Sequence, residues 1–124
     1  MQVGDVTVWE RTFTEEDVRF FGQVSGDQGI HHVETDEQGH LMVQGLLTAT
    51  LPTKIGGDLN YIARQMVFDF LRPVFTGNTI RCEVTSTHLE KVESHTSMKA
   101  KWVCRNQQGK EVLTGHTHGI IRDV

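Results

Sequence analysis

Residues 44–56 most constrain what this chain can fold into. Leu46, Leu47, Ala49, Leu51 and Ile55 cover most sides of a helix there. A helix that is apolar around most of its circumference must be buried. The chain after it supplies the cover. Residues 62–71 carry Met66, Phe68 and Phe70 on one face and Val67 and Leu71 on the other. Residues 79–89 alternate Ile80, Cys82 and Val84, and residues 95–105 alternate Met98, Ala100, Trp102 and Cys104. Residues 111–121 read as a last strand, and 106–110 have the composition of a hairpin turn. Four strands in successive hairpins favour an antiparallel sheet whose apolar face the helix must cover. Pro52 should kink or shorten the helix, and Gly56-Gly57 should end it.

Upstream, residues 4–13 alternate as a first strand. Thr14-Glu15-Glu16-Asp17 has the form of a helix start, with a capping hydroxyl and three acids in the first turn. Val18, Phe21 and Val24 give that helix one apolar face, and it should stop before Gly26. Residues 25–41 have no period and read as a loop, and a loop of this length is often functional.

With 124 residues the chain is expected to form one domain over 1–124, burying roughly two thirds of its unfolded surface. A net charge of −4 argues against nucleic acid as a partner, since phosphate binding wants a basic face. No apolar run approaches the roughly 20 residues that cross a bilayer. The N-terminal residues lack the pattern of a secretory signal. The expected location is therefore cytoplasmic, with Cys82 and Cys104 as reduced core thiols.

Two stretches carry chemistry. Val24-Ser25-Gly26-Asp27-Gln28-Gly29-Ile30-His31-His32 sets a carboxylate and an imidazole five residues apart, Asp27 and His32. Such a pair can hold a water, take its proton and return one. In Val43-Gln44-Gly45-Leu46-Leu47-Thr48-Ala49 a glycine opens the apolar helix, which presents a backbone N–H to a developing oxyanion. Each residue also has a plainer reading. Asp27 fits a turn residue after Gly26, His32 a hydrogen-bonded loop histidine, and Gly45 a helix-start glycine chosen for its backbone. His31 rivals His32 as the working imidazole. Thr48 and Thr50 either orient a ligand or bond back to their own helix. His116 and His118, two apart on a strand, are half of a metal site or two surface histidines. Arg64 and Arg72 are either phosphate contacts or sheet-edge residues.

At these residues the chain resembles the MaoC-like dehydratases and (R)-specific enoyl-CoA hydratases. Gly26-Asp27, Gln28, Gly29-Ile30-His31 and His32 match the family's Gly-Asp, any residue, Asn-Pro-Ile/Leu, His pattern, with Gly29-Ile30 in place of Asn-Pro. Gln44-Gly45-Leu46-Leu47 stands where the family's His-Gly-Met-Leu opens its central helix. Phe70-Leu71-Arg72-Pro73-Val74 with Gly77-Asn78-Thr79 matches a third family segment. The stretch from His32 to Gly45 is shorter than is usual there.

The resemblance implies an α+β hot dog fold, a curved antiparallel sheet wrapped around a central buried helix. It implies reversible hydration of a 2-enoyl thioester to a 3-hydroxyacyl thioester, carried by coenzyme A or an acyl carrier protein. Asp27, His32 and Gly45 would be catalytic, and His31, Gln44 and Thr48 would contact substrate, with no metal and no cofactor. A homodimer or dimer of dimers is implied as well. A thioesterase and a non-catalytic acyl-CoA-binding module on the same fold are the alternatives.

Overall fold

The structure is a computed structural model and describes residues 1–122. The chain runs β1 (Val6–Thr12), α1 (Glu15–Ser25), α2 (Ile30–Val33), α3 (Gly45–Thr48), α4 (Thr50–Asp58), β2 (Tyr61–Phe70), β3 (Thr79–Lys91), β4 (His95–Arg105) and β5 (Glu111–Arg122). The strands form one antiparallel sheet in the order β1-β3-β4-β5-β2. Leu47, Leu51 and Ile55 from α3 and α4 pack into a core with Val84, Met98, Ala100, Trp102 and Leu113 of the sheet. Each such leucine or isoleucine contributes roughly 1.5–3 kcal/mol by leaving water. No helix among the described residues is long and apolar enough to cross a membrane.

The α1 start is a capping box. Thr14 Oγ1 accepts the Asp17 N–H at 3.1 Å, and an Asp17 carboxylate oxygen accepts the Thr14 N–H at 3.0 Å. Burial works against ionisation of Asp17. The Thr14 bonds and the Arg11 guanidinium outweigh it and hold the carboxyl below its ordinary range. Gly26 ends α1 at φ 77°, in the left-handed region that glycine enters without strain.

Four expectations need correction. The expected loop 25–41 contains a turn of helix, α2, too short for any period to mark it. Val24 is 70% exposed, whereas Val18 is buried and Phe21 packs against the core as expected, with Gly22 buried beside them. The interruption expected from Pro52 is present, at Ala49, because Pro52 has no N–H for the Thr48 carbonyl and its ring crowds that oxygen, but the helix end expected at Gly56-Gly57 is not. The helix runs through Gly56 and Gly57 to Asp58, and the left-handed residue after it is Asn60, at φ 56°.

The fourth correction concerns topology. β2 and β3 do not form a hairpin; β2 pairs with β5 at the far edge of the sheet. Residues 71–78 carry the chain back across. On the way Val74 accepts from the Val43 N–H at 2.7 Å, and the Thr76 N–H donates to Leu41 O at 2.9 Å. Thr76 Oγ1 also accepts the buried Leu41 N–H at 3.0 Å. Thr76→Val keeps the shape but leaves that donor unpaired. We expect a loss of about 1–3 kcal/mol in urea unfolding.

Candidate active site

Three chain segments meet at His32. After Gly26, Ser25 Oγ accepts the Asp27 N–H at 3.0 Å, and an Asp27 carboxylate oxygen takes the Gly29 N–H at a long 3.4 Å. The turn reading of Asp27 is thus present, but weakly. Helix α2 then carries His31 and His32. Its backbone is tied to the residues ahead of α3, where the Met42 N–H donates to His31 O at 2.9 Å. Met42 is held from the other side by a β-bridge to Phe75 in the crossover.

The His32 ring is 7% exposed, and its Nδ1 lies 2.7 Å from Met42 O. A carbonyl only accepts, so Nδ1 carries a proton and the neutral ring keeps its lone pair on Nε2. Nε2 lies 3.6 Å from Asp27 Oδ2. That separation is too long for a hydrogen bond and suits an ion pair once the ring is protonated. A water oxygen about 2.8 Å from each atom fits beside the pair. The Asp27 side chain is 52% exposed, so solvent reaches its open side.

His32 separates two clefts. One, of about 290 Å³, is lined by His31, His32, Gly45, Thr48, Phe70 and Arg72 among others. The other, of about 120 Å³, is lined by Asp27, Gln28, His32 and Gln44 among others. Asp27 lines only the smaller cleft and Gly45 only the larger, and His32 is common to both. Gly45 heads α3, and a Cβ there would sit 2.7 Å from a carbon of the Phe70 ring. Only glycine lets that ring lie against the helix start.

The other expected residues divide. The exposed His31 packs its ring on His32 at 4.0 Å between centroids and lines the larger cleft. Thr48 is buried and lines the same cleft, whereas Thr50 bonds back to Leu47 O in its own helix. Gln44 is fully buried and donates from Nε2 to Val18 O at 2.9 Å, while its Oε1 has no partner among the described residues. Arg72 lines the larger cleft and bonds Glu111 O, and Arg64 lines neither. His116 and His118 lie on the exposed face of β5, and no cluster of three metal-ligating side chains exists among the described residues. Cys82 and Cys104 are free, buried and opposite one another. Contact with Cys104, with burial added, pushes the Cys82 thiol far up, so it is no ready nucleophile, and Cys104 is shut away from solvent.

Sequence reasoning missed the Met42 carbonyl, which sets the His32 tautomer, and the role of Phe70 over Gly45. A backbone carbonyl has no signature in sequence. Phe70 was legible as an apolar strand residue, but not as the neighbour of a helix start.

No family model matches the chain. No curated protein matches it. Solved structures do. The R-hydratase PhaJ1 from Pseudomonas aeruginosa is 23% identical at a TM-score of 0.84, covering 98% of this chain and 82% of that one. An (R)-hydratase from A. caviae involved in PHA biosynthesis is 22% identical at 0.85, covering 99% and 98%. A MaoC-like dehydratase from Rhodospirillum rubrum is 14% identical at 0.79, covering 100% and 94%. Identities this low speak to architecture, and there the agreement runs nearly end to end: the chain has the hot dog fold of the (R)-hydratases and MaoC-like dehydratases.

Proposed function

We propose that this chain is a hydro-lyase that adds water reversibly to a 2-enoyl thioester, giving the (R)-3-hydroxyacyl thioester. The supporting observation is His32, whose Nδ1–H is committed to Met42 O and whose Nε2 faces the Asp27 carboxylate. A water held by that pair gives up a proton as its oxygen attacks the β-carbon. The α-carbon takes a proton from the same pair. General acid–base help of this kind is worth about 10²- to 10⁴-fold. With the thioester in the larger cleft, which His32 and Gly45 both line, its oxygen, enolate-like in the transition state, accepts from the Gly45 N–H at the head of α3. One such donor is worth about 2.7–4 kcal/mol. Thr48, His31 and Gln44 line the walls around the reacting atoms. The chemistry calls for neither metal nor redox cofactor.

The acyl group rides on coenzyme A or an acyl carrier protein, and Arg72 at the larger cleft is the cation available to a phosphate. A second copy of the chain completes the site. Phe70, Leu71 and Leu46 are 55%, 49% and 61% exposed beside the larger cleft or at the helix that borders it, and a homodimer would cover them. A cytoplasmic setting agrees with two reduced thiols.

The test is incubation with an enoyl-CoA. Loss of the conjugated absorbance without free thiol is the expected result. Release of free thiol identifies a thioesterase instead, and binding without turnover identifies a binding module. His31→Ala should cost less than about tenfold in turnover, because its ring only lines the wall. A larger loss than in His32→Ala would transfer the proton-transfer role to His31.

A further inference from the structure

On the sheet face turned away from the helices, four basic or imidazole side chains form a square. Met98, Ala100 and Trp102 of β4 are buried, so Lys99 and Lys101 between them point outward. Across the β4–β5 ladder Lys99 pairs with His118 and Lys101 with His116, and all four are exposed. Lys99 and Lys101 stand two residues apart on one face of β4, about 6.7 Å, where their like charges repel. Folding therefore gains nothing from this arrangement. Among the described residues neither lysine meets a carboxylate, in a chain whose net charge is −4.

The surroundings define the edges of the square. Gln65 and Val67 flank it on β2, and Thr85 and His88 flank it on β3. Beyond it, the next residues along the strands are charge-balanced: Glu83 lies 3.4 Å from Arg81 and 3.9 Å from Arg105, which in turn lies 3.8 Å from Glu111. On the β3 side Glu90 lies 3.6 Å from His88. Asp69 stands opposite Thr114 on the other flank. The basic area is thus two residues long and about two strands wide, with acids around it.

We propose that this face docks an acidic α-helix of a partner protein. The surface is a sheet face rather than a concavity, and its backbone N–H groups are spent in the ladders, so a small anion finds no cradle. A nucleic acid would carry its phosphates over the flanking carboxylates. A helix fits the dimensions. Carboxylates four residues apart on it are about 6 Å apart, and Lys99 and Lys101 are spaced at about 6.7 Å along the strand. The half-buried Val67 and Val103 beside the square offer apolar contact to the same helix.

The experiment titrates the full chain with a helical peptide bearing glutamate at every fourth position, followed by amide chemical shifts. Expected are shifts confined to β4 and β5 around the four residues. Binding should weaken at least about tenfold in Lys99→Glu/Lys101→Glu and fade between about 50 and about 500 mM salt. Lys54→Glu/Lys110→Glu makes the same change in net charge away from this face and should bind as the parent does, with melting curves checking that both variants fold. Shifts elsewhere, no binding, or equal weakening in the two variants would overturn the proposal. So would tighter binding of pyrophosphate or duplex DNA at the square. Turnover of a small enoyl-CoA should not change in Lys99→Glu/Lys101→Glu, because none of the four residues lines either cleft.

Discussion

Asp27→Asn should lower hydratase turnover by about 10²- to 10⁴-fold while leaving the fold intact. The amide keeps the size of the carboxylate and can still accept from the Gly29 N–H, so the turn survives. What it loses is the negative charge 3.6 Å from His32 Nε2. An amide can neither take the water's proton nor stabilise an imidazolium. The Asp27 side chain is half exposed and the His32 ring keeps its bond to Met42 O, so the fold survives loss of the charge. His32→Ala should fall by a comparable factor. The double variant should be little worse than the poorer single one, because residues that act on one water behave as a unit. Steady-state kinetics on an enoyl-CoA, with melting curves as the control, measures all three. Near-parental turnover in Asp27→Asn would remove the carboxylate from the mechanism.

Gly115→Ala should be strongly destabilising for so small a substitution. Gly115 lies on β5 opposite Trp102 of β4. A Cβ on it would stand 2.7 Å from Trp102 Nε1, and closer still to the Val67 backbone oxygen of β2. A flexible side chain could swing away from a methyl group; a ladder carbonyl and a 2% exposed indole cannot. The β2–β5 ladder must open or the core must shift. Overpacking of this kind costs about 1–3 kcal/mol and occasionally more. With backbone in the way we expect about 3 kcal/mol, a fall in Tm of roughly 10 °C. Differential scanning calorimetry against Gly109→Ala gives a reference. Gly109 has φ 78° but open space around it, so its cost is backbone strain alone.

How much of this was legible in the sequence varied by element. The alternation at 95–105 agrees with β4 at both ends, and the turn expected at 106–110 forms with Asn106 Oδ1 accepting two backbone N–H groups. The capping residues of α1 stand where Thr14 and Asp17 indicated. These are local features, set by periodicity and by side chains reaching their own backbone. The partner of β2 was not legible. Its faces suit a hairpin with β3 as well as an edge beside β5, and crossover residues such as Thr76 become informative only once Leu41 lies against them. At the candidate site, the spacing of Asp27 and His32 was legible. The tautomer of His32, the division into two clefts and the place of Phe70 were not.

The sequence alone determined the longer helices and the strands, and that one apolar helix must lie against a sheet. It also determined that a carboxylate and an imidazole stand five residues apart, at Asp27 and His32. Periodicity and capping are short-range, so they can be read residue by residue. Only the tertiary structure decided which edge β2 joins, which nitrogen of His32 is free, and that Lys99, Lys101, His116 and His118 share one exposed face. Those outcomes rest on contacts between distant segments and on backbone carbonyls, which are chemically the same at every position. Nothing in the order of the residues distinguishes them until the chain has closed.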